Sequence, residues 1–84
     1  MNRTEAFRRI SLNQNNVRFG DLEDLVFAFG FRLKRIRGSH RIYSHPLVRQ
    51  RLNLQMAQGE ATPYQVRQFL KLVEEHNLKL EDGE

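Results

Sequence analysis

A short basic stretch, residues 32–43 (RLKRIRGSHRIY), carries the side chains best suited to chemistry, with Gly38-Ser39-His40 at its centre. Because histidine titrates near neutral pH, His40 could accept or donate a proton in water. Metal-free cleavage of RNA requires a base for the 2′-hydroxyl, an acid for the leaving oxygen and a cation on the phosphate. His40 and the surrounding arginines match part of this requirement. On position alone, however, the simpler interpretation of His40 is a polar residue that flanks a turn.

The charge of the chain is distributed unevenly. The net charge is +4, yet residues 25–59 contain no Asp or Glu. Half of the 14 Lys and Arg residues fall in this window: Arg32, Lys34, Arg35, Arg37, Arg41, Arg49 and Arg51. Most charged runs are simply solvated surfaces. The length and arginine content of this one favour a polyanionic partner, either a nucleic acid or an acidic protein.

Five residues around His40 are the candidates for contact with a nucleic acid such as RNA: Arg35, Arg37, Ser39, Arg41 and Tyr43. The arginines could stabilise the negative charge that develops on a phosphate, or they could only bind the backbone. Ser39 could donate to a phosphate, although a role in the turn is the simpler interpretation. Tyr43 could stack on a base or pack on neighbouring strand residues, and these two roles remain open.

The other two histidines are weaker candidates for proton transfer. His45 follows His40 by five residues, so strand alternation directs it to the opposite face. His76, at the end of the last predicted helix, is more simply a partner for the helix dipole. Of the three histidines, His40 is therefore the best placed for proton transfer. With no cysteine in the chain and no carboxylate near the basic stretch, we predict no metal or other cofactor.

The composition limits the class of protein. A chain of 84 residues can build one domain around a modest core. The absence of cysteine excludes disulfides and suits a reducing cytoplasm. No apolar run approaches the roughly 18 residues of a membrane span, and no signal peptide is recognisable. We expect one cytoplasmic domain over residues 1–84, with a helical prefix over 1–16, a frayed tail over 79–84 and no membrane contact.

Two amphipathic helices are predicted, together with a weaker one over residues 4–12 that Thr4 would cap. Residues 20–29 form the first, because apolar side chains recur at i, i+3, i+4 and i+7 and Gly30 suits the left-handed position that ends a helix. Its stripe consists of Leu22, Leu25, Val26 and Phe29.

The last helix is predicted over residues 62–76. Thr62-Pro63-Tyr64-Gln65 has the order of a capping residue, a first-turn proline and a capping-box glutamine. The apolar stripe that follows consists of Val66, Phe69, Leu70 and Val73.

Three strands are predicted between these helices. Residues 31–37 alternate, with a slip or bulge at Arg35-Ile36, and Gly38-Ser39 suits a two-residue hairpin loop. Residues 40–44 return as the second strand, with His40 and Ile42 on one face, and Pro46 ends it. Residues 51–55 form the third strand, between loops over 45–50 and 56–61. The element order predicts an α+β fold: a three-stranded antiparallel sheet with both helices on one face.

The combination of Gly30-Phe31, Gly38-Ser39-His40 and Ile42-Tyr43 at this spacing resembles the HicA toxin family, also called YcfA-like. The helix start at residues 62–68 resembles the longer members, and the resemblance covers roughly residues 16–78. Two features depart from the family pattern. Arg41 stands where many members have a second histidine. The third strand of the family usually contains Val-Pro with a histidine nearby, whereas residues 51–55 of this chain read RLNLQ.

The resemblance implies a fold like a double-stranded RNA-binding domain, in the order α-β-β-β-α. It also implies an mRNA-cleaving toxin of a type II toxin–antitoxin pair, neutralised by a HicB-type antitoxin that covers the active histidine. That histidine carries over to His40. Two alternatives stay open: a non-catalytic RNA-binding module on the same fold, which tracks phosphates by shape, and a basic face that chiefly serves an acidic antitoxin.

Overall fold

The computed structural model describes residues 2–81, which form three helices and five strands. In chain order these are α1 (Arg3–Leu12), β1 (Val17–Arg18), α2 (Phe19–Ala28), β2 (Arg32–Arg37), β3 (His40–His45), β4 (Val48–Gln55), β5 (Glu60–Ala61) and α3 (Pro63–Glu75). The main sheet is antiparallel in the order β2-β3-β4, and β1 pairs with β5. The predicted α+β fold with its α-β-β-β-α order is confirmed.

The N-terminal helix α1 forms where the weak helix is predicted, but its cap is Asn2 and not Thr4. Asn2 Oδ1 accepts a hydrogen bond from the Glu5 N–H at 2.8 Å, which satisfies one of the free donors of the first turn. The ring of Phe7 packs on Phe29 with centroids 4.8 Å apart, so α1 docks against the end of α2.

Helix α2 buries the predicted stripe of Leu22, Leu25, Val26 and Phe29. Gly30 follows it at φ +98°, a backbone conformation that favours glycine. A Cβ at this position would lie 2.8 Å from Glu81 Oε2 and 2.9 Å from His45 Nε2. Gly30 therefore both ends the helix and leaves room for two side chains that converge on it.

Strands β2 and β3 form the predicted hairpin. Arg37 pairs with His40 across Gly38-Ser39, and Gly38 has the positive φ (+57°) that the first position of such a loop favours. The register shift falls between Leu33 and Arg35, slightly earlier than the predicted bulge at Arg35-Ile36.

Strand β4 begins at Val48, so the predicted loop over 45–50 is wrong. Only Pro46-Leu47 separate β3 from β4. The three consecutive polar residues Arg49-Gln50-Arg51 do not alternate with apolar ones, so the sequence gives no strand signal there. In the structure, pairing with β3 extends β4 back to Val48. The predicted loop over 56–61 also contains β5, whose two residues carry no periodic signal and pair with the distant β1.

Helix α3 starts at Pro63 with Thr62 as its cap, as predicted, and Thr62 Oγ1 accepts from the Gln65 N–H at 3.3 Å. The side chain of Gln65 does not complete a capping box. With its amide oriented to satisfy both atoms, Nε2 donates to the Gln55 carbonyl at 2.9 Å and Oε1 accepts from the Gln55 N–H at 2.6 Å. This buried glutamine binds α3 to the end of β4.

Both long helices cover the same face of the sheet. Tyr43 and Leu52 are paired and, with Leu54, belong to one buried cluster with the stripes of α2 and α3. Phe69 of α3 meets Phe29 and Phe31 with ring centroids 5.7 and 6.2 Å apart. Residues of the opposite sheet face remain largely exposed.

The tail predicted to be frayed over residues 79–84 is docked on the core over residues 79–81, the part that the structure describes. Leu78 is buried, Leu80 packs partly buried against the core, and the Glu81 N–H donates to the Ala28 carbonyl at 2.8 Å. The chain therefore docks on α2 as far as Glu81. Residues 82–84 lie outside the described residues.

Substitution of Gly30, before β2, and of Gly38, in the hairpin turn, separates backbone strain from crowding. Gly38→Ala has φ +57° but nothing within 4 Å of its new Cβ, so we expect a loss of about 1 kcal/mol in the free energy of unfolding. Gly30→Ala adds to its positive φ a 2.9 Å contact with Nε2 of the His45 ring, and it should lose about 1 kcal/mol more than Gly38→Ala. Urea unfolding of both variants measures this, and equal losses would refute the role of crowding.

Candidate active site on the open sheet face

Two rows of residues define the exposed side of the main sheet, which we call the open face. Directly paired residues of antiparallel strands project to the same face. The rows consist of Arg37, His40 and Gln55, and of Arg35, Ile42 and Asn53. Ile42 is partly buried in the centre and the other five side chains are exposed. Neither of these two rows contains an acidic residue.

His40 is the first residue of β3, immediately after the turn, and its side chain is exposed. Its Nδ1 lies 3.2 Å from Asn53 Oδ1 on β4. This is the single hydrogen-bond partner of the ring among residues 2–81. Nε2 therefore has no partner in the described part of the protein.

The turn before His40 is attached to the end of β4. The Met56 N–H donates to the Ser39 carbonyl at 3.2 Å, and Gln55 Nε2 donates to Ser39 Oγ at 3.3 Å. Since Gln65 of α3 binds the backbone of Gln55, the turn is connected through β4 to the core. Ser39 thus lies beside His40 with its hydroxyl engaged in holding the hairpin.

Arg35 and Arg37 share the open face with His40, and Arg37 is its direct neighbour on β2. Both side chains are exposed, and neither forms an ion pair with the residues that the structure describes. Two unneutralised guanidinium groups beside an imidazole can bind an anion, since they offer planar forks of N–H donors to phosphate oxygens.

Arg41 and Tyr43 lie on the other face, as alternation predicts, and bind Glu23 of α2. Arg41 contacts Glu23 Oε2 at 3.2 Å and covers the Phe19 ring, and the Tyr43 hydroxyl donates to the same oxygen. Tyr43 is 0% exposed. The structure therefore separates these two predicted RNA-contacting residues from the open face: α2 covers Tyr43, and Glu23 neutralises Arg41.

Burial raises the pKa of Tyr43 above its ordinary value, and the hydrogen bond to Glu23 with the negative charge of that carboxylate raises it further. The positive charge of Arg41 acts in the opposite direction but is outweighed. Tyr43 is therefore held neutral, with its hydroxyl hydrogen directed at Glu23, and acts as a structural donor.

The remaining histidines are not part of the open face. His45 Nδ1 accepts from the Leu47 N–H at 3.0 Å, so its Nε2 carries the hydrogen and donates to the Phe29 carbonyl at 3.0 Å. Both of its nitrogens are occupied, at the far end of β3 and about 17 Å along the strand from His40. His76 is the C-terminal cap of α3. Across residues 2–81, no group of three or more His, Cys, Asp or Glu side chains could hold a metal ion.

Sequence reasoning missed Asn53 and Glu23 as members of these two clusters. Asn53 alternates with Leu52 and Leu54, so its position on the open face could have been recognised. Its contact with His40 depends on the β3–β4 register. Glu23 was visible only as an acidic residue near a helix start, 18 residues before its partner Arg41.

The fold and the open face define a small α+β domain with a basic sheet surface around one exposed histidine. A family model described as HicA toxin of bacterial toxin-antitoxin matches residues 19–74, from α2 into α3. The chain therefore belongs to the HicA toxin family, whose members act with a cognate antitoxin. Comparison with curated proteins and with solved structures produced no match. Among residues 2–81, no helix is long and apolar enough to cross a membrane.

The raised pKa of Tyr43 predicts a pH dependence of stability. A group whose pKa is higher in the folded than in the unfolded state stabilises fully below the unfolded value, about 10 for tyrosine, and this contribution is lost as pH rises. Between pH 10 and 11, the stability advantage of wild type over Tyr43→Phe should shrink by up to about 1.4 kcal/mol. Urea unfolding at both pH values measures it.

The matched control is Tyr64→Phe, since Tyr64 is 65% exposed and its hydroxyl contacts Gln68 Nε2 rather than a carboxylate. It should follow the pH dependence of wild type. A pH-independent difference between wild type and Tyr43→Phe would contradict the assignment of Tyr43 as a buried neutral donor.

Proposed function

We propose that this HicA-family toxin is an mRNA endoribonuclease that works without a metal ion, uses His40 for proton transfer and acts in the cytoplasm. The observation that supports this most is the position of His40. It is exposed on an acid-free face, directly opposite Arg37 and one row from Arg35. An imidazole beside free guanidinium groups combines a proton carrier with a phosphate-binding cation.

In the proposed reaction, His40 takes the proton from a ribose 2′-hydroxyl while that oxygen attacks the adjacent phosphorus. The bond from phosphorus to the 5′-oxygen breaks, and the proton ends on this oxygen through His40 or water. The products are a 2′,3′-cyclic phosphate and a 5′-hydroxyl. Paired residues have Cα atoms about 5 Å apart, so the Arg37 guanidinium can reach the phosphate on which His40 acts.

The proposed inhibitor is a HicB-type antitoxin that covers the open face. An acidic surface on such a partner would neutralise Arg35 and Arg37 and exclude RNA from His40. The exposed, unpaired state of both arginines supports an anionic partner of this kind as well as RNA.

A non-catalytic RNA-binding module is the second candidate function. It is favoured because cleavage needs a base and an acid, and His40 is the one imidazole on the open face. The other two histidines, His45 and His76, lie elsewhere. A module of this class would bind RNA through the same arginines without producing fragments. Cleavage assays distinguish the two.

Replacement of His40 tests the catalytic assignment. His40→Ala should lower the rate of RNA cleavage by about 10²–10⁴-fold, the usual contribution of a positioned proton-transfer group, and should relieve growth arrest. His76→Ala is the matched control because it removes an imidazole from the α3 terminus, and it should cleave like wild type. EDTA should leave cleavage intact. RNA binding without fragments in every variant would establish the second function instead.

The salt dependence of RNA binding tests the arginines. In the His40→Ala background, which keeps RNA intact, Arg35→Ala and Arg37→Ala should each reduce the slope of log K against log salt by about 0.7 on single-stranded RNA. Arg8→Ala removes an exposed arginine from α1, on the helix side of the sheet, and should leave the slope unchanged. Equal slopes for all three variants would place the RNA elsewhere on the molecule.

A further inference from the structure

The β3–β4 register gives His40 a neighbour that the proposed function does not yet use. His40 is paired with Gln55 and Ile42 with Asn53, so Asn53 is the diagonal neighbour of His40 on the same face. Asn53 Oδ1 lies 3.2 Å from His40 Nδ1. Leu52 and Leu54, on either side of Asn53, are 1% and 0% exposed and hold this part of β4 against the helices.

The chemistry of this contact determines which nitrogen of His40 carries the hydrogen. An amide oxygen only accepts hydrogen bonds, so the contact requires a hydrogen on Nδ1. In the neutral imidazole the lone pair then lies on Nε2, the nitrogen without a partner among residues 2–81. A proton acceptor is therefore available at the unoccupied side of the ring.

Neither side chain directly opposite His40 forms a competing hydrogen bond with the ring among residues 2–81. Arg37, opposite on β2, carries only donors. The Gln55 side chain, opposite on β4, contacts Ser39 Oγ at 3.3 Å. Asn53 supplies the one oxygen in hydrogen-bond contact with the ring in the described part of the chain.

We propose that Asn53 is a positioning residue that holds His40 in its Nδ1–H tautomer, so that Nε2 serves as the base for the ribose 2′-hydroxyl. The catalytic consequence rests on the proposed function. The tautomer itself is a property of the free protein and is measurable without RNA.

Nitrogen-15 NMR of the His40 ring, in the full chain at a pH where the imidazole is neutral, tests the tautomer. Wild type should show a protonated Nδ1 and an unprotonated Nε2. Asn53→Ala removes the acceptor and should shift the population toward the Nε2–H form, whereas Asn53→Asp keeps an acceptor oxygen and should retain Nδ1–H. Gln50→Ala, which removes an exposed side-chain amide from the same strand five residues away from Gln55, is the matched control and should leave the ring signals unchanged.

Cleavage kinetics test the consequence. One neutral hydrogen bond biases the tautomers by about threefold to tenfold, so Asn53→Ala should lower kcat/KM by that factor, mainly through kcat. Asn53→Asp should restore most of the loss in kcat, while its carboxylate, in the same row as Arg35, should raise KM for RNA. A structural role alone would not move the tautomer signals and would not be rescued by Asp.

The possible failures are distinct. An Nε2–H signal in wild type, or ring signals unchanged by Asn53→Ala, would overturn the role of Asn53 whether or not the protein cleaves RNA. A correct tautomer in a protein that cleaves as well without His40 would refute the proposed function and the catalytic role of Asn53 with it. The expected tautomer shift together with unchanged kcat/KM in Asn53→Ala would also overturn the positioning role.

Discussion

The orientation of the site depends on the central strand β3, which has one side covered by α2 and the other side open to solvent. Its inward side chains, Arg41 and Tyr43, meet one carboxylate oxygen of Glu23 under α2. Because side chains alternate along a strand, fixing these two toward the helix fixes His40 and Ile42 toward solvent. A slip of one residue would bury the histidine and expose an ion pair. This partly buried polar contact thus specifies the orientation of the open face as well as joining β3 to α2.

The arrangement of charge follows from the same division. Glu23 is engaged by the inward side of β3, and the open face has no acid of its own. Arg35 and Arg37 lie two residues apart on one edge strand, about 7 Å along it, and repel each other in the free protein. An anion bound between the two guanidinium groups would relieve this repulsion and so stabilise the protein. Local conflict of this kind in an otherwise consistent fold is typical of a binding site.

The parts of the fold that the sequence predicts well are those encoded by neighbouring residues. The α2 stripe, the Gly38-Ser39 turn and the Thr62-Pro63 helix start each depend on a few adjacent positions. The parts that it misses are long-range: the β1–β5 pair, the start of β4 and the use of Gln65 to bind Gln55. The site divides in the same way. Alternation correctly separates His40 from Arg41, but the burial of Tyr43 depends on a helix 20 residues away.

The departure at Arg41 from the usual histidine pair has a structural explanation in this chain. The residue after His40 points under α2, where it meets Glu23 and the Phe19 ring. An imidazole at that position would lie on the opposite face from His40 and could not share a phosphate with it. Arg41 instead provides a permanent positive charge for a carboxylate that also accepts from Tyr43. Replacing histidine by arginine at this position therefore changes how the hairpin is anchored, while the groups available for proton transfer on the open face stay the same.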